Sequence, residues 1–203
     1  MQVKVCGMRD EQNIKKLESL PVNLMGFIFY EKSPRYVGYQ SGVPLKAGIS
    51  KVGVFVNASL DFVLSKVESF GLDFVQLHGK ENIFYCHALK QNGIKVIKAF
   101  SVDEHFSFTN TEAYQYFCDY FLFDTKGKNP GGNGYAFDWD LLEKYKGKTP
   151  FLLSGGIDLA AAVSIKAIQH DCLKGVDINS KFEIEPGFKD IEKIKNFIHD
   201  LRS

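Results

Sequence analysis

Eight short runs rich in Val, Ile and Phe, amphipathic segments between most of them and a last amphipathic segment closing the chain predict an α/β fold, a single (β/α)8 TIM barrel. The runs are QVKVCG, LMGFIFY, KVGVFV, FVQLHG, KVIKAF, YFLFDTK, PFLLSGG and LKGVDINS. Strands that alternate with helices imply βαβ units and a parallel sheet. Eight such units with a closing helix fit the barrel at the short end of its usual length. A doubly wound open sheet of eight strands is the rival architecture, but it normally carries longer helices than these.

Taken in order, QVKVCG runs into DEQNIKKLESL, where Asp10 stands as an N-cap ahead of apolar residues at helical spacing. LMGFIFY is followed by EKSPRYVGYQSGVPLKAGIS, with two prolines, three glycines and little helical periodicity, so a long loop with a degraded or short second helix is expected. KVGVFV leads into SLDFVLSKVESFG behind Ser59, and FVQLHG into ENIFYCHALKQNG. KVIKAF and YFLFDTK are the fifth and sixth strands. The polar loop TKGKNPGGNG then precedes WDLLEKYK, with Asp138 as its N-cap. PFLLSGG leads to DLAAAVSIKAIQH with Asp158 at its start, and LKGVDINS to the final KDIEKIKNFIHDL. No linker or low-complexity stretch interrupts this order, so residues 1–203 read as one domain.

Composition narrows the function classes. The chain has 203 residues, 45% hydrophobic and 24% charged, with a formal net charge of +1. That suffices for one well-packed core and gives no electrostatic footprint for nucleic acid or an anionic membrane surface. No apolar run approaches the roughly 18 residues of a membrane helix. Lys4, Arg9 and Asp10 break up any secretory signal core. Four cysteines, Cys6, Cys86, Cys118 and Cys172, form no CxxC pair, which argues against a zinc site or a disulfide scaffold and fits a reducing cytosol. The expectation from composition is a small cytoplasmic protein with no zinc site and no nucleic-acid or membrane partner.

In such a barrel the active site is built at the C-terminal ends of the strands. There the paired glycines Gly155 and Gly156 in LSGGI precede a helix start; they suit either a phosphate held by backbone amides or simply a tight turn. Asp124 ends YFLFD and precedes a Gly- and Lys-rich loop. It reads as a cap or salt-bridge partner, or as a part-buried general acid beneath a mobile cover. Cys6 suits inert packing or proton transfer, and the Gly7 beside it separates it from the other three cysteines, which read as packing. Arg35 in SPRYVG is placed to grip a carboxylate or phosphate, or to stand exposed. His78 before Gly79 reads as a backbone hydrogen-bonding residue rather than a base.

The segments VKVCGMR, MGFIFYEKSPRYV, KVGVFVN, VQLHG, FLFDTKGKNPGGNGYAFDW, LSGGI and GVDINSKFEIEPGFKD span residues 3 to 190, each at a strand end or in the loop after it. Together they resemble the phosphoribosylanthranilate isomerases, (β/α)8 barrels of tryptophan biosynthesis. The resemblance implies a small-molecule substrate and an Amadori rearrangement of N-(5-phosphoribosyl)anthranilate to 1-(2-carboxyphenylamino)-1-deoxyribulose 5-phosphate, without cofactor or metal, in a monomer or homodimer. It implies Cys6 as general base and Asp124 as general acid, with the thiol's pKa lowered by a nearby cation, Lys4 or Arg9 being near in sequence. It further implies Arg35 against the anthranilate carboxylate and Asp177 near the substrate's amino and sugar groups. Gly155, Gly156, Asn179 and Ser180 fall on the phosphate loops, and Gly131 and Gly132 in the loop after the sixth strand. Gly7 is expected to leave room for substrate beside Cys6. The chain departs from the family pattern with GGNG for GGTG, LSGGI for LAGGL, and Lys181 where a Gly is common. Two other readings stand beside this one: a related phosphate-binding barrel isomerase or epimerase, and a barrel that binds a phosphorylated metabolite without turnover.

Overall fold

A computed structural model describes residues 1–38, 42–125 and 138–203. Eight parallel strands close into a barrel in the order in which they occur in the chain. They are β1 (Gln2–Cys6), β2 (Leu24–Ile28), β3 (Ser50–Phe55), β4 (Phe74–Leu77), β5 (Lys95–Val102), β6 (Tyr120–Thr125), β7 (Phe151–Leu153) and β8 (Leu173–Ile178). All eight coincide with the apolar runs of the sequence. Closure is made by β1 against β8, with Lys4 level with Asp177.

The two-residue period of a strand sorts every side chain to one of two environments. Outward residues such as Val3, Val5, Phe27, Phe55, Val75, Phe121 and Phe123 join one large core with the surrounding helices. Inward residues Leu24, Val52, Phe74, Ile97, Ala99, Leu122 and Leu152 form a separate apolar plug inside the barrel. Above that plug the same inward register carries Cys6, Ile28 and Val54, a third and smaller apolar cluster at the C-terminal ends of the strands. The polar inward residues Gln76, Asp124 and Asp177 belong to the same periodic set and are buried there.

The helices are α1 (Glu11–Leu17), α2 (Leu60–Phe70), α3 (Ile83–Gln91), α4 (Ala161–Ala167) and α5 (Ile191–Arg202). Asp10 and Ser59 cap α1 and α2 as expected, their side chains accepting from the N–H of Asn13 and Phe62. No helix forms between β2 and β3 among the described residues, so the degraded second helix of the sequence is here a run of turns. WDLLEKYK forms a 3-10 turn over Trp139–Lys144 rather than an α-helix. Asp138 does cap it, but Tyr145 is already extended, leaving too few residues to make an α-helical nucleus worthwhile. Asp158 accepts a hydrogen bond from Ala161 N, yet the N-cap position of α4 is Ala160 and the helix has only seven residues. Two features were not among the elements read from the sequence: a 3-10 helix (Phe108–Tyr114) between β5 and β6 and, after β8, a 3-10 turn (Ser180–Phe182) that runs into an antiparallel hairpin, β9 (Glu183–Glu185) with β10 (Phe188–Lys189).

Candidate active site

The C-terminal ends of the strands enclose a cavity of about 480 Å³. Cys6, Arg35, Asp124, Gly155, Gly156, Asp177, Asn179 and Ser180 all line it, so eight of the ten residues that the resemblance assigns to catalysis, substrate or phosphate converge on one space. The other two, Gly131 and Gly132, lie outside the described residues, as does Asn133 of GGNG.

Cys6 is the last residue of β1 and is 4% exposed. Gly26 on β2 lies level with it, and a Cβ there would come within 2.7 Å of Sγ, so a glycine at this point of β2 is what makes room for the thiol. Of the two cations considered in the sequence, only Lys4 faces the site. Two residues earlier on the same strand, it points inward, fully buried, and donates to Asp177 Oδ1 at 2.8 Å. Arg9 turns away to the carbonyl oxygens of Pro34 and Pro186. The expected lowering of the thiol pKa is not found. Burial pushes the Cys6 thiol above the ordinary cysteine value; Lys4 opposes this, Asp177 adds to it and Lys189 opposes it, and burial prevails. Asp177 is likewise raised by burial, against the pull of Lys4. Lys4 is itself held above its usual value: burial works against its charge, but Asp177 and Cys6 outweigh it.

Asp124 is the penultimate residue of β6 and is 5% exposed. Its Oδ1 accepts from the N–H of Thr125 at 3.0 Å, and its Oδ2 lies 3.2 Å from His78 Nε2. The other ring nitrogen of His78, Nδ1, lies 2.9 Å from Gln76 Nε2. His78 therefore binds a catalytic candidate and not backbone, contrary to its reading in the sequence. The reason is again periodicity: Gln76 and His78 stand two apart on β4 and its extension and share one face.

Gly155 and Gly156 have φ of +88° and +67°, conformations that L side chains avoid. A Cβ on Gly155 would collide with Thr125 and come within 2.8 Å of Asp124 Oδ1, so this glycine lets the β7 loop close onto the end of β6. Gly7 also has a left-handed φ, +79°. A Cβ there would meet Arg35 Cδ and Asn179 Oδ1, each at 2.8 Å. The space it leaves is filled by these two protein groups and not held open for a substrate. Arg35 does line the cavity, but its Nε and one terminal nitrogen are bound to Glu183. Beside it the wall is apolar, with Ile28, Tyr30, Pro34, Val54 and Val56. Lys181 lines the cavity next to Ser180.

A closed parallel barrel with a cavity at the carboxyl ends of its strands, lined by a thiol, two buried carboxyls, an imidazole and an arginine beside an apolar wall, defines a (β/α)8-barrel enzyme. The comparisons with known proteins narrow the class. The family model described as N-(5'phosphoribosyl)anthranilate (PRA) isomerase matches residues 3–200, and the chain belongs to that family. The N-(5'-phosphoribosyl)anthranilate isomerase of Parabacteroides distasonis is 47% identical over 206 residues, covering 99% of this chain and 93% of its own. Among solved structures, phosphoribosyl anthranilate isomerase from Thermotoga maritima matches with a TM-score of 0.84 at 30% identity, over 100% of this chain and 98% of that one. A phosphoribosyl anthranilate isomerase in complex with reduced 1-(o-carboxyphenylamino)-1-deoxyribulose 5-phosphate matches with a TM-score of 0.82 at 29% identity, with the same coverage.

Proposed function

We propose that the cavity isomerises N-(5'-phosphoribosyl)anthranilate by an Amadori rearrangement, with Asp124 as general acid and Cys6 as general base. The observation that carries the reading is that a thiol on β1 and a carboxyl on β6, 118 residues apart in sequence (124 − 6), line one cavity beside an arginine and a glycine-rich loop. Asp124 protonates the furanose ring oxygen and the ring opens to a protonated imine. His78 Nε2, 3.2 Å from Asp124 Oδ2, holds the carboxyl in orientation for that transfer. The Cys6 thiolate then takes the proton from the sugar C2 carbon, giving an enolamine that tautomerises to the ketone. The iminium accepts the electron pair, so no redox carrier enters the chemistry.

Burial that keeps the free thiol protonated is compatible with this role, because the iminium brings a positive charge to the site at the step that needs the thiolate. Lys4 adds a fixed positive charge against the same sulfur. Asp177, with Oδ1 held by Lys4, offers Oδ2 to the substrate N–H. The aromatic ring lies against Ile28, Tyr30 and Val54, with its carboxylate towards Arg35, while Gly155, Gly156, Asn179 and Ser180 take the phosphate. The chain acts as one cytoplasmic barrel domain.

Consumption of freshly made phosphoribosylanthranilate, followed as loss of its fluorescence, tests the reading. Wild type should turn it over, while Cys6→Ser and Asp124→Asn should lose turnover and retain binding of the reduced product analogue. Full turnover in either variant would remove the assigned role. Wild-type binding of the analogue with no turnover would favour a barrel that only binds.

A further inference from the structure

The residue facing Arg35 is not part of the cavity wall. Glu183, at the start of β9, accepts from Arg35 Nε at 2.9 and 3.0 Å and from its terminal nitrogen at 2.7 Å. Lys189, on β10 and paired with Glu183 across the hairpin, donates to Glu183 Oε1 at 2.6 Å and to Asn179 Oδ1 at 2.7 Å. Gly187 N adds a further bond to Glu183 Oε1 at 3.0 Å. The Lys189 side chain is inaccessible to solvent, and Glu183's is 4% exposed. The hairpin is fixed in turn from α1, where Asn13 bonds both backbone groups of Lys189 through its buried side chain. Arg35 and Asn179 approach each other only because Gly7, between them, has no side chain.

We propose that Glu183 and Lys189 are positioning residues, a charged brace that holds Arg35 and Asn179 in one geometry across Gly7, so that the carboxylate end and the β8-loop end of the substrate site are set together. The proposal rests on the role given to Arg35 above. Three charges meet here, Arg35 and Lys189 positive and Glu183 negative, which leaves one net positive charge at a mouth meant for an anion. Glu183 occupies the Nε edge of the guanidinium, so the remaining N–H groups are presented to the ligand in a fixed direction, as a preorganised carboxylate clamp requires. Without Glu183 the arginine keeps its charge and loses its orientation.

The groups facing the Lys189 ammonium are Glu183, Asn179, Cys6 and Arg35. Burial lowers its pKa to about 8, against the pull of Glu183 and Cys6 and with the repulsion of Arg35. The ammonium is charged below that pH and neutral above it, so the brace slackens as pH rises through about 8.

The test uses anthranilate as a probe of the carboxylate end and inorganic phosphate as a probe of the other, by calorimetry on the full chain, with KM and kcat from turnover. Glu183→Gln should weaken anthranilate binding and raise KM about tenfold, with kcat changed much less. In the double variant Arg35→Met/Glu183→Gln, anthranilate should bind no worse than in Arg35→Met alone, a non-additivity that a purely structural role for Glu183 does not produce. Lys189→Met should weaken both probes and remove the loss of anthranilate affinity that wild type shows between pH 7 and 9. Glu183→Asp, which keeps the charge but is too short to span the gap, serves as the second variant should Glu183→Gln not fold. Additive effects in the double variant, or unchanged anthranilate binding in Glu183→Gln beside weakened binding in Arg35→Met, would overturn the brace. Unchanged anthranilate binding in Arg35→Met would overturn the role of Arg35 itself, and the brace with it.

Discussion

Two barrel-strand lysines make buried pairs with carboxylates, one on each side of the sheet. Lys4 on β1 points into the barrel and meets Asp177 at 2.8 Å beneath the cavity. Lys98 on β5 points out of it and meets Glu81 at 3.3 Å, with the carbonyl oxygens of Leu77, Gly79 and Ala99 around the ammonium. Glu81 in turn accepts from the N–H groups of Asn57 and Gly79, so this outer pair ties the β3 and β4 loops together. In residue type and burial the two are alike. They differ in address: Lys4 shares an inward face with Cys6 and Asp177, while Lys98 shares an outward one with the packing core. A buried ion pair therefore signals a functional site only through the face of the strand that carries it, and burial alone does not distinguish them.

The largest effect should come from the groups on the inward face that touch substrate. Cys6→Ser and Asp124→Asn should each cost about 10²–10⁴-fold in kcat, the range of a single acid–base group. Next come the two lysines, on which the comparison turns. Lys4→Met strips a buried carboxylate of its partner and should cost about 3–5 kcal/mol in denaturant unfolding together with a large loss of kcat. Lys98→Met should also destabilise, by less, because Glu81 keeps its two backbone donors, and kcat/KM should stay near wild type. Activity lost equally in both variants would show that the inward face has no special standing.

Changing pH sharpens the same contrast. The Cys6 thiol is raised by burial, so the thiolate fraction grows as pH rises past the ordinary cysteine value, and a base-dependent kcat should still be climbing there. Glu183 behaves in the opposite sense. Burial works against its charge, but Arg35, Lys189 and the Gly187 N–H outweigh it and hold its carboxyl below the usual range. Its share of stability is present above the unfolded-state value and lost as pH falls through the lower folded one, so Glu183→Gln should flatten the acid limb of an unfolding curve measured against pH. The smallest effect belongs to the exposed pair Lys195–Glu192 on α5: Lys195→Ala should change stability by about 0.3 kcal/mol or less.

How much of this was legible in the sequence depends on the range of the interaction that decides each feature. Strand composition placed all eight strands, and Asp10 and Ser59 marked their helix starts, because capping and alternation act within a few residues. The family motifs brought Cys6, Arg35, Asp124, Asp177 and the phosphate-loop residues to attention one by one. His78 and Gly7 were misjudged, since the partner of each lies on another strand or loop: Asp124 for the first, Arg35 and Asn179 for the second. Glu183 and Lys189 lie inside the family segment GVDINSKFEIEPGFKD, but no role attached to either, because they stand in a hairpin that no periodicity announced and their partners lie on other elements.

By itself, then, the sequence determined the architecture and which side chains stand at strand ends, because a two-residue period and a capped helix are local consequences of chain geometry. Only the tertiary structure decided which charge meets which. Lys4 and Asp177 are 173 residues apart, and Arg35 and Glu183 are 148 apart. Those meetings exist only once β8 closes on β1, and with them come the burial and electrostatics that set the thiol, the carboxyls and the arginine for chemistry.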